Sequence, residues 1–235
     1  MKKYIIGILI GLIFATSIGV YAAIKYQASE IEYNNTPLDE VLDDLYSKAS
    51  SGTKLCKFID GTYGSKGNVG AKYECKLKDG ETRYFYIFKI NSNNSVNMIL
   101  ANNLEEDGNE VLMTANYTST YFTSGDGKKY YNLWPNVINI DVPSASDVAT
   151  AVGYTNWNNT DYCLDTKSDV SGGVCTGVNT GKYAWLYGQD YFTKTAKESN
   201  HQWAVTYSGH MRGYQQTASY GIRPVITILK SSLYE

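Results

Sequence analysis

The sequence predicts an α+β fold: an N-terminal transmembrane or signal helix, a short amphipathic helix, then an antiparallel-sheet-rich domain. Three observations predict it. Tyr4 to Ile24 form an uncharged run behind Met1, Lys2 and Lys3. A stripe of apolar residues at helical spacing follows Thr36-Pro37. Beyond it the chain alternates between strand-forming residues and polar turns, with 22 tyrosines against 6 phenylalanines and only 4 prolines, the balance of strands and turns rather than of helices. The expected domains are residues 1–25, a signal-anchor or signal peptide; 26–52, a spacer with the amphipathic helix; and 53–235, an exported domain.

The uncharged run, as a helix at ~1.5 Å per residue, reaches across the ~30 Å of a bilayer's hydrocarbon core. The lysines before it keep its start cytoplasmic, so the rest of the chain crosses the membrane. Two outcomes share that export. Cleavage near Ala22, within the small residues 15–22, would release a secreted protein. Retention would leave a single-pass protein of the cell membrane with an extracellular C-terminal domain. The run exceeds the usual ~7–15 apolar residues of a signal core, which favours retention.

Without this segment about 210 residues remain, enough to bury a core. The formal net charge of −2 supplies no basic field for nucleic acid. Four cysteines in an exported chain suggest two disulfides. Three pairings are possible, and proximity in sequence favours Cys56–Cys75 and Cys163–Cys175.

Taken in order, residues 25–35 read as a polar spacer. Thr36 can cap a helix and Pro37 suits its first position. Leu38, Val41, Leu42, Leu45 and Tyr46 share one face, and Gly52 can stop it. The helix from Pro37 to Ala49 docks on the following domain or serves as a homo-oligomerising stalk. Residues 71–78 and 81–90 flank Asp79-Gly80, a hairpin signal. Both faces of 81–90 are apolar, which predicts a central strand. Residues 54–101 read as an antiparallel meander ending in strand 95–101. Residues 102–129 are turn-rich with no clear element. Residues 136–142 read as a strand. Ser144 then caps a short helix, with Asp147 in capping-box spacing and Gly153 at its end. Residues 154–182 lack periodicity, and so long a loop in a compact domain is often functional. Strands are expected at 183–187, 202–207 and 222–229, the last beginning at an edge or bulge because of Pro224.

Several short motifs carry a resemblance. The tail Tyr220-Gly221-Ile222-Arg223-Pro224-Val225-Ile226 resembles the Gly-Val-Arg-Pro-Val-Ile ending of exported bacterial proteins related to the fibrobacter major-paralogous surface domain. Val142-Pro143-Ser144-Ala145-Ser146-Asp147, Ala184-Trp185-Leu186-Tyr187, Trp203-Ala204-Val205 and Ser208-Gly209 are similar to further pieces of that family in the expected order. The resemblance implies a C-type-lectin-like fold and a surface binding role. The Glu-Pro-Asn and Trp-Asn-Asp triplets of calcium-dependent lectins do not occur; Trp157-Asn158-Asn159 lacks the aspartate.

No Gly-x-Ser-x-Gly, His-Glu-x-x-His or Ser-x-x-Lys motif occurs, and with paired cysteines no nucleophile stands out, so a binding module rather than an enzyme is expected. Asp161, Asp165 and Asp169 recur every four residues but do not match an EF-hand. His201 and His210 have no Cys or His partner at zinc-ligand spacing. No metal or cofactor is expected. Trp157 and Tyr162, in the long loop with Asp161 and Asp165, are the candidate ligand-binding residues for an unknown glycan or protein. Trp185 and Trp203 read as core. Arg223, in an apolar strand, reads as a structural cation needing carboxylate or carbonyl acceptors. The alternative function is a structural subunit of a surface or tail-like assembly.

Overall fold

The computed structural model describes residues 54–76, 81–92, 94–118, 120–134, 137–168, 175 and 181–235, together with 32–33 and 36–37. The chain divides into two compact units, Met1–Gly52 and Thr53–Glu235. In the first, β1 (Glu32–Tyr33) pairs antiparallel with β2 (Thr36–Pro37). Thr36 and Pro37 are thus extended rather than the start of a helix. Proline donates no hydrogen bond, which a two-residue edge ladder tolerates. The uncharged run from Tyr4 to Ile24 and the rest of the amphipathic helix lie outside the described residues. Among the described residues no helix is long and apolar enough to cross a membrane.

The second unit is sheet-rich and mostly antiparallel. Its first four strands are β3 (Cys56–Asp60), β4 (Lys72–Lys76), β5 (Thr82–Ile90) and β6 (Ser95–Leu100). They form the expected meander, with β4 and β5 paired through Lys76 and Thr82 across the Asp79-Gly80 position. Strands β10 (Asn139–Asp141), β16 (Val225–Leu229) and β17 (Leu233–Tyr234) complete a seven-stranded sheet in the order β10-β16-β6-β5-β4-β3-β17. β5 is its middle strand, as the two apolar faces predict. β17 runs parallel to β3 and places Leu233 opposite Cys56.

The residues between the meander and β10 are not featureless. They hold a small hairpin, β7 (Glu105–Glu106) with β8 (Asn109–Glu110), then β9 (Leu112–Thr114), α1 (Ala115–Thr118) and α2 (Tyr130–Leu133). This segment seals one face of the large sheet: Tyr121, Phe122, Tyr130 and Trp134 pack with Tyr73, Phe85, Ile87 and Met98. Glu106 anchors it, accepting hydrogen bonds from Tyr130 Oη at 2.7 Å, Tyr121 Oη at 3.2 Å and Lys129 Nζ at 2.7 Å. These three donors hold the Glu106 carboxyl below its usual range, the lysine contributing most.

The opposite face is covered by α3 (Ala145–Ala151) and a second sheet. Ser144 caps α3 as its sequence predicts, accepting from the Asp147 amide at 3.1 Å. Gly153, at φ 73°, provides the left-handed residue that ends it. The second sheet contains β11 (Tyr162–Cys163), β12 (Tyr191–Glu198), β13 (His201–Val205), β14 (His210–Gln215) and β15 (Ser219–Gly221). With β9 it runs β11-β14-β13-β12-β15-β9. Residues 183–187 form no strand; Ala184–Leu186 is a single 3-10 turn. The Tyr183 amide donates to Asp165 Oδ1 at 2.9 Å, so a side chain takes the place of a ladder partner.

The tail motif Gly221-Ile222-Arg223-Pro224-Val225 is the crossing between the sheets. Gly221 ends β15 in the second sheet and Val225 starts β16 in the first. Pro224 therefore precedes β16 instead of occupying an edge or bulge within it, and β16 itself lies inside the sheet. Arg223 is 2 % exposed and donates from Nε to the Leu100 carbonyl at 2.6 Å and from Nη2 to the Ala101 and Trp185 carbonyls, each at 2.6 Å. Its guanidinium lies 5.3 Å from the Tyr191 ring centre. The acceptors are carbonyls, one of the two kinds expected.

Candidate functional site

The residues expected to bind a ligand are placed differently from one another. Tyr162 is 0 % exposed and belongs to the core beneath the second sheet, a correction to its reading as a loop contact residue. Residue 162 opens the short strand β11, too brief to show alternation in sequence. Burial raises its hydroxyl well above the ordinary tyrosine range. Trp157 is half-buried. It donates from Nε1 to the Thr160 carbonyl at 2.8 Å and packs edge-on against Trp203 with centroids 5.0 Å apart. Trp185 and Trp203 are buried in the same core.

The two aspartates part company. Asp161 pairs with Lys197 at 2.5 Å, and that ammonium sits 4.6 Å from the Trp203 ring centre. Asp165 accepts from Tyr187 Oη at 2.6 Å as well as from the Tyr183 amide. Burial first, then this carboxylate, push the Tyr187 hydroxyl upward in pKa. Asp169 lies outside the described residues. Among the described residues no group of three or more His, Cys, Asp or Glu side chains is placed to hold a metal ion. Two disulfides join Cys56 to Cys75, across β3 and β4, and Cys163 to Cys175, within the long loop.

Among the described residues, the surface that stands open lies elsewhere. The cover on the second face of the large sheet reaches β16, β6 and β5, where Val225, Ile99 and Phe88 are buried. It stops at Tyr86. Beyond, β4, β3 and β17 keep their other face sealed through Tyr73, Cys75, Cys56 and Leu233, while Lys57, Ile59, Lys72, Glu74 and Tyr84 alternate with those residues and face outward. Tyr84 is 43 % and Ile59 41 % exposed. Lys72 Nζ lies over two rings at once, 5.1 Å from the centre of Tyr84 and 5.7 Å from that of Tyr86.

A wall rises beside this floor. Tyr63 meets Tyr86 edge-on at 6.1 Å, and Tyr86 packs on Trp185 at 5.5 Å. The loop that carries Tyr63 is a tight fold of backbone. Gly70, at φ 88°, has no room for a side chain because its Cβ would come within 2.6 Å of the Tyr63 carbonyl. Its amide donates to the Ile87 carbonyl at 2.8 Å, and the Gly67 amide donates to Tyr73 Oη at 3.1 Å. Asp60, at the loop's start, accepts from the Thr62 hydroxyl at 2.7 Å and amide at 2.9 Å, which lowers its pKa.

No family model, curated protein or solved structure matches this chain.

The floor residues are legible in the alternation of β3 to β5, but the sequence does not say where the cover stops. Two apolar faces along 81–90 predict a strand covered on both sides throughout, and Tyr84 departs from that at the end of the strand next to β4's bare face.

Proposed function

We propose that the protein is an exported, membrane-anchored surface protein whose Thr53–Glu235 unit is a C-type-lectin-like binding domain, taking a glycan or protein partner on the bare face of β3, β4, β5 and β17. The observation that carries this reading is a sheet that, among the described residues, is sealed on one face along its length and left open on the other over β3, β4, β17 and the Tyr84 end of β5. Ile59, Tyr84 and the tyrosine-stacked Lys72 supply apolar area, aromatic surface and charge together there. Tyrosines with a polar tip suit recognition surfaces, where one end stays dry and the other wet. Two disulfides accord with an oxidising compartment outside the cytoplasmic membrane.

Two experiments test it. Screening the purified protein against glycan and host-protein arrays should give binding that Tyr84→Ala weakens; a blank screen, or binding indifferent to that change, sinks the assignment of this face. Protease added to intact, wall-stripped cells should digest the domain while a cytoplasmic control survives, and protection of both would overturn the export.

A further inference from the structure

We infer that the bare face binds an extended, flat glycan: a chain of equatorially linked pyranose units lying across the strands from Tyr84 towards Tyr234. This rests on the reading that the face is the binding surface, and it adds the ligand's class and direction. The strand register aligns Tyr234 with Lys57, Lys57 with Glu74, and Glu74 with Tyr84. These four side chains form one row perpendicular to the strands. Adjacent strands lie ~4.8 Å apart, close to the advance of one equatorially linked pyranose along its chain, so successive units meet successive side chains.

The row also has the right chemistry in the right order. A tyrosine stands at either end, and an ammonium and a carboxylate stand between. An equatorially substituted pyranose presents apolar C–H faces and a rim of hydroxyls. Rings take the faces, while Lys57 donates to and Glu74 accepts from the rim. Lys72 and Asp60 flank the row and repeat the pairing of signs. With both signs interleaved the face has no field to select a polyanion. A protein partner would call for a dry apolar centre ringed by polar groups, and here the charges occupy the centre and the rings the ends.

The test is calorimetric titration of the full-length chain, held in a non-glycosidic detergent, with cello- and chito-oligosaccharides from dimer to hexamer. Malto-oligosaccharides, whose axial linkage curls the chain, serve as the comparison. In at least one equatorial series affinity should climb about tenfold or more between dimer and tetramer. The malto series should show no climb, and Tyr84→Ala should flatten the climb without lowering the melting temperature. Binding independent of length, equal binding of the malto series, or a climb untouched by Tyr84→Ala overturns the flat-chain inference and leaves the binding role standing. Absence of binding in all three series also overturns it; capture of a protein ligand that Tyr84→Ala blocks would then show that the face binds, but not a sugar.

Discussion

Arg223 reaches through its Nε to the carbonyl of Leu100, 123 positions away in sequence, at 2.6 Å. Leu100 closes β6 in the first sheet, while Trp185, which receives Nη2, belongs to the layer of the second. One guanidinium thus satisfies backbone acceptors in both halves of the domain. Burial disfavours its charge and the adjacent Tyr191 offsets part of that cost. Arg223→Ala should destabilise the protein by about 3 kcal/mol or more, because buried carbonyls lose their donors. Arg223→Lys should recover little, since an ammonium cannot reproduce the planar fork. Thermal melts of both variants check this, and unchanged melting temperatures would move Arg223 from a structural to a binding role.

Glu106 is the corresponding anchor on the other face. Glu106→Ala leaves the hydroxyls of Tyr121 and Tyr130, both nearly buried, without their acceptor. A loss of about 2 kcal/mol is expected, with increased amide exchange across residues 120–134. Glu106→Gln should be milder because it keeps an oxygen acceptor. Equal melting of all three proteins would show that the segment needs no such anchor.

His210 predicts an acid-side loss of stability. Its side chain is buried, and Nε2 has no hydrogen-bond partner among the described residues. Burial, then the nearby Arg212, lowers its pKa, with Lys197 adding to the effect and Asp161 opposing it. The folded protein therefore holds His210 neutral below the unfolded value of ~6.5, where the unfolded chain takes up a proton. Stability is fully present above that value and falls as pH drops from it towards the depressed folded pKa. Urea melts between about pH 7 and 5 should show this slope, and His210→Phe should reduce it. An identical slope in the variant would refute the assignment.

The disulfides make separable predictions. Cys163–Cys175 closes a loop with a sequence separation of 12, and Cys56–Cys75 one of 19. Removing either by a double Cys→Ser change should cost about 3 kcal/mol through the unfolded chain. Loss of Cys163–Cys175 should also raise the protease sensitivity of the long loop. Loss of Cys56–Cys75 should leave that loop untouched, because β3 and β4 remain paired. Peptide mapping without reduction reads the pairing directly.

What the sequence discloses follows from where alternation is enforced. β5 and β6 are readable because the first sheet buries them, and the hairpin between β4 and β5 is marked by its Asp-Gly. The helix at Ala145 is readable from its serine cap. Strands β12 and β14 are not: Lys194, Lys197 and Arg212 break the apolar pattern; Lys194 and Lys197 find Asp141 and Asp161 in distant parts of the chain, and Arg212 lies over the ring of Tyr214 on its own strand. Tyr183 to Tyr187 read as a strand because aromatic residues favour extended backbone, yet Asp165 captures the Tyr183 amide and the segment turns instead. The candidate surface was hidden for a related reason. Alternation tells which residues share a face of β3, β4 and β5, and only the second layer decides how far that face is covered.

The position of the final strands bears on how the nascent chain survives its own synthesis. β16 fits between β10 and β6, and β17 seals the outer side of β3. Both lie far beyond the meander in sequence, so a meander that is complete in its local contacts still waits for its neighbours. Until they arrive, the edge of β6 is open, and Val96, Met98 and Ile99, all buried in the finished domain, have no cover from β16. An unpaired apolar edge is a template for strands of other molecules. Pairing ends so far apart in sequence is also slow, because loop closure precedes any gain. The period of greatest aggregation risk therefore falls late, just before these strands emerge, and that is when a chaperone would matter most.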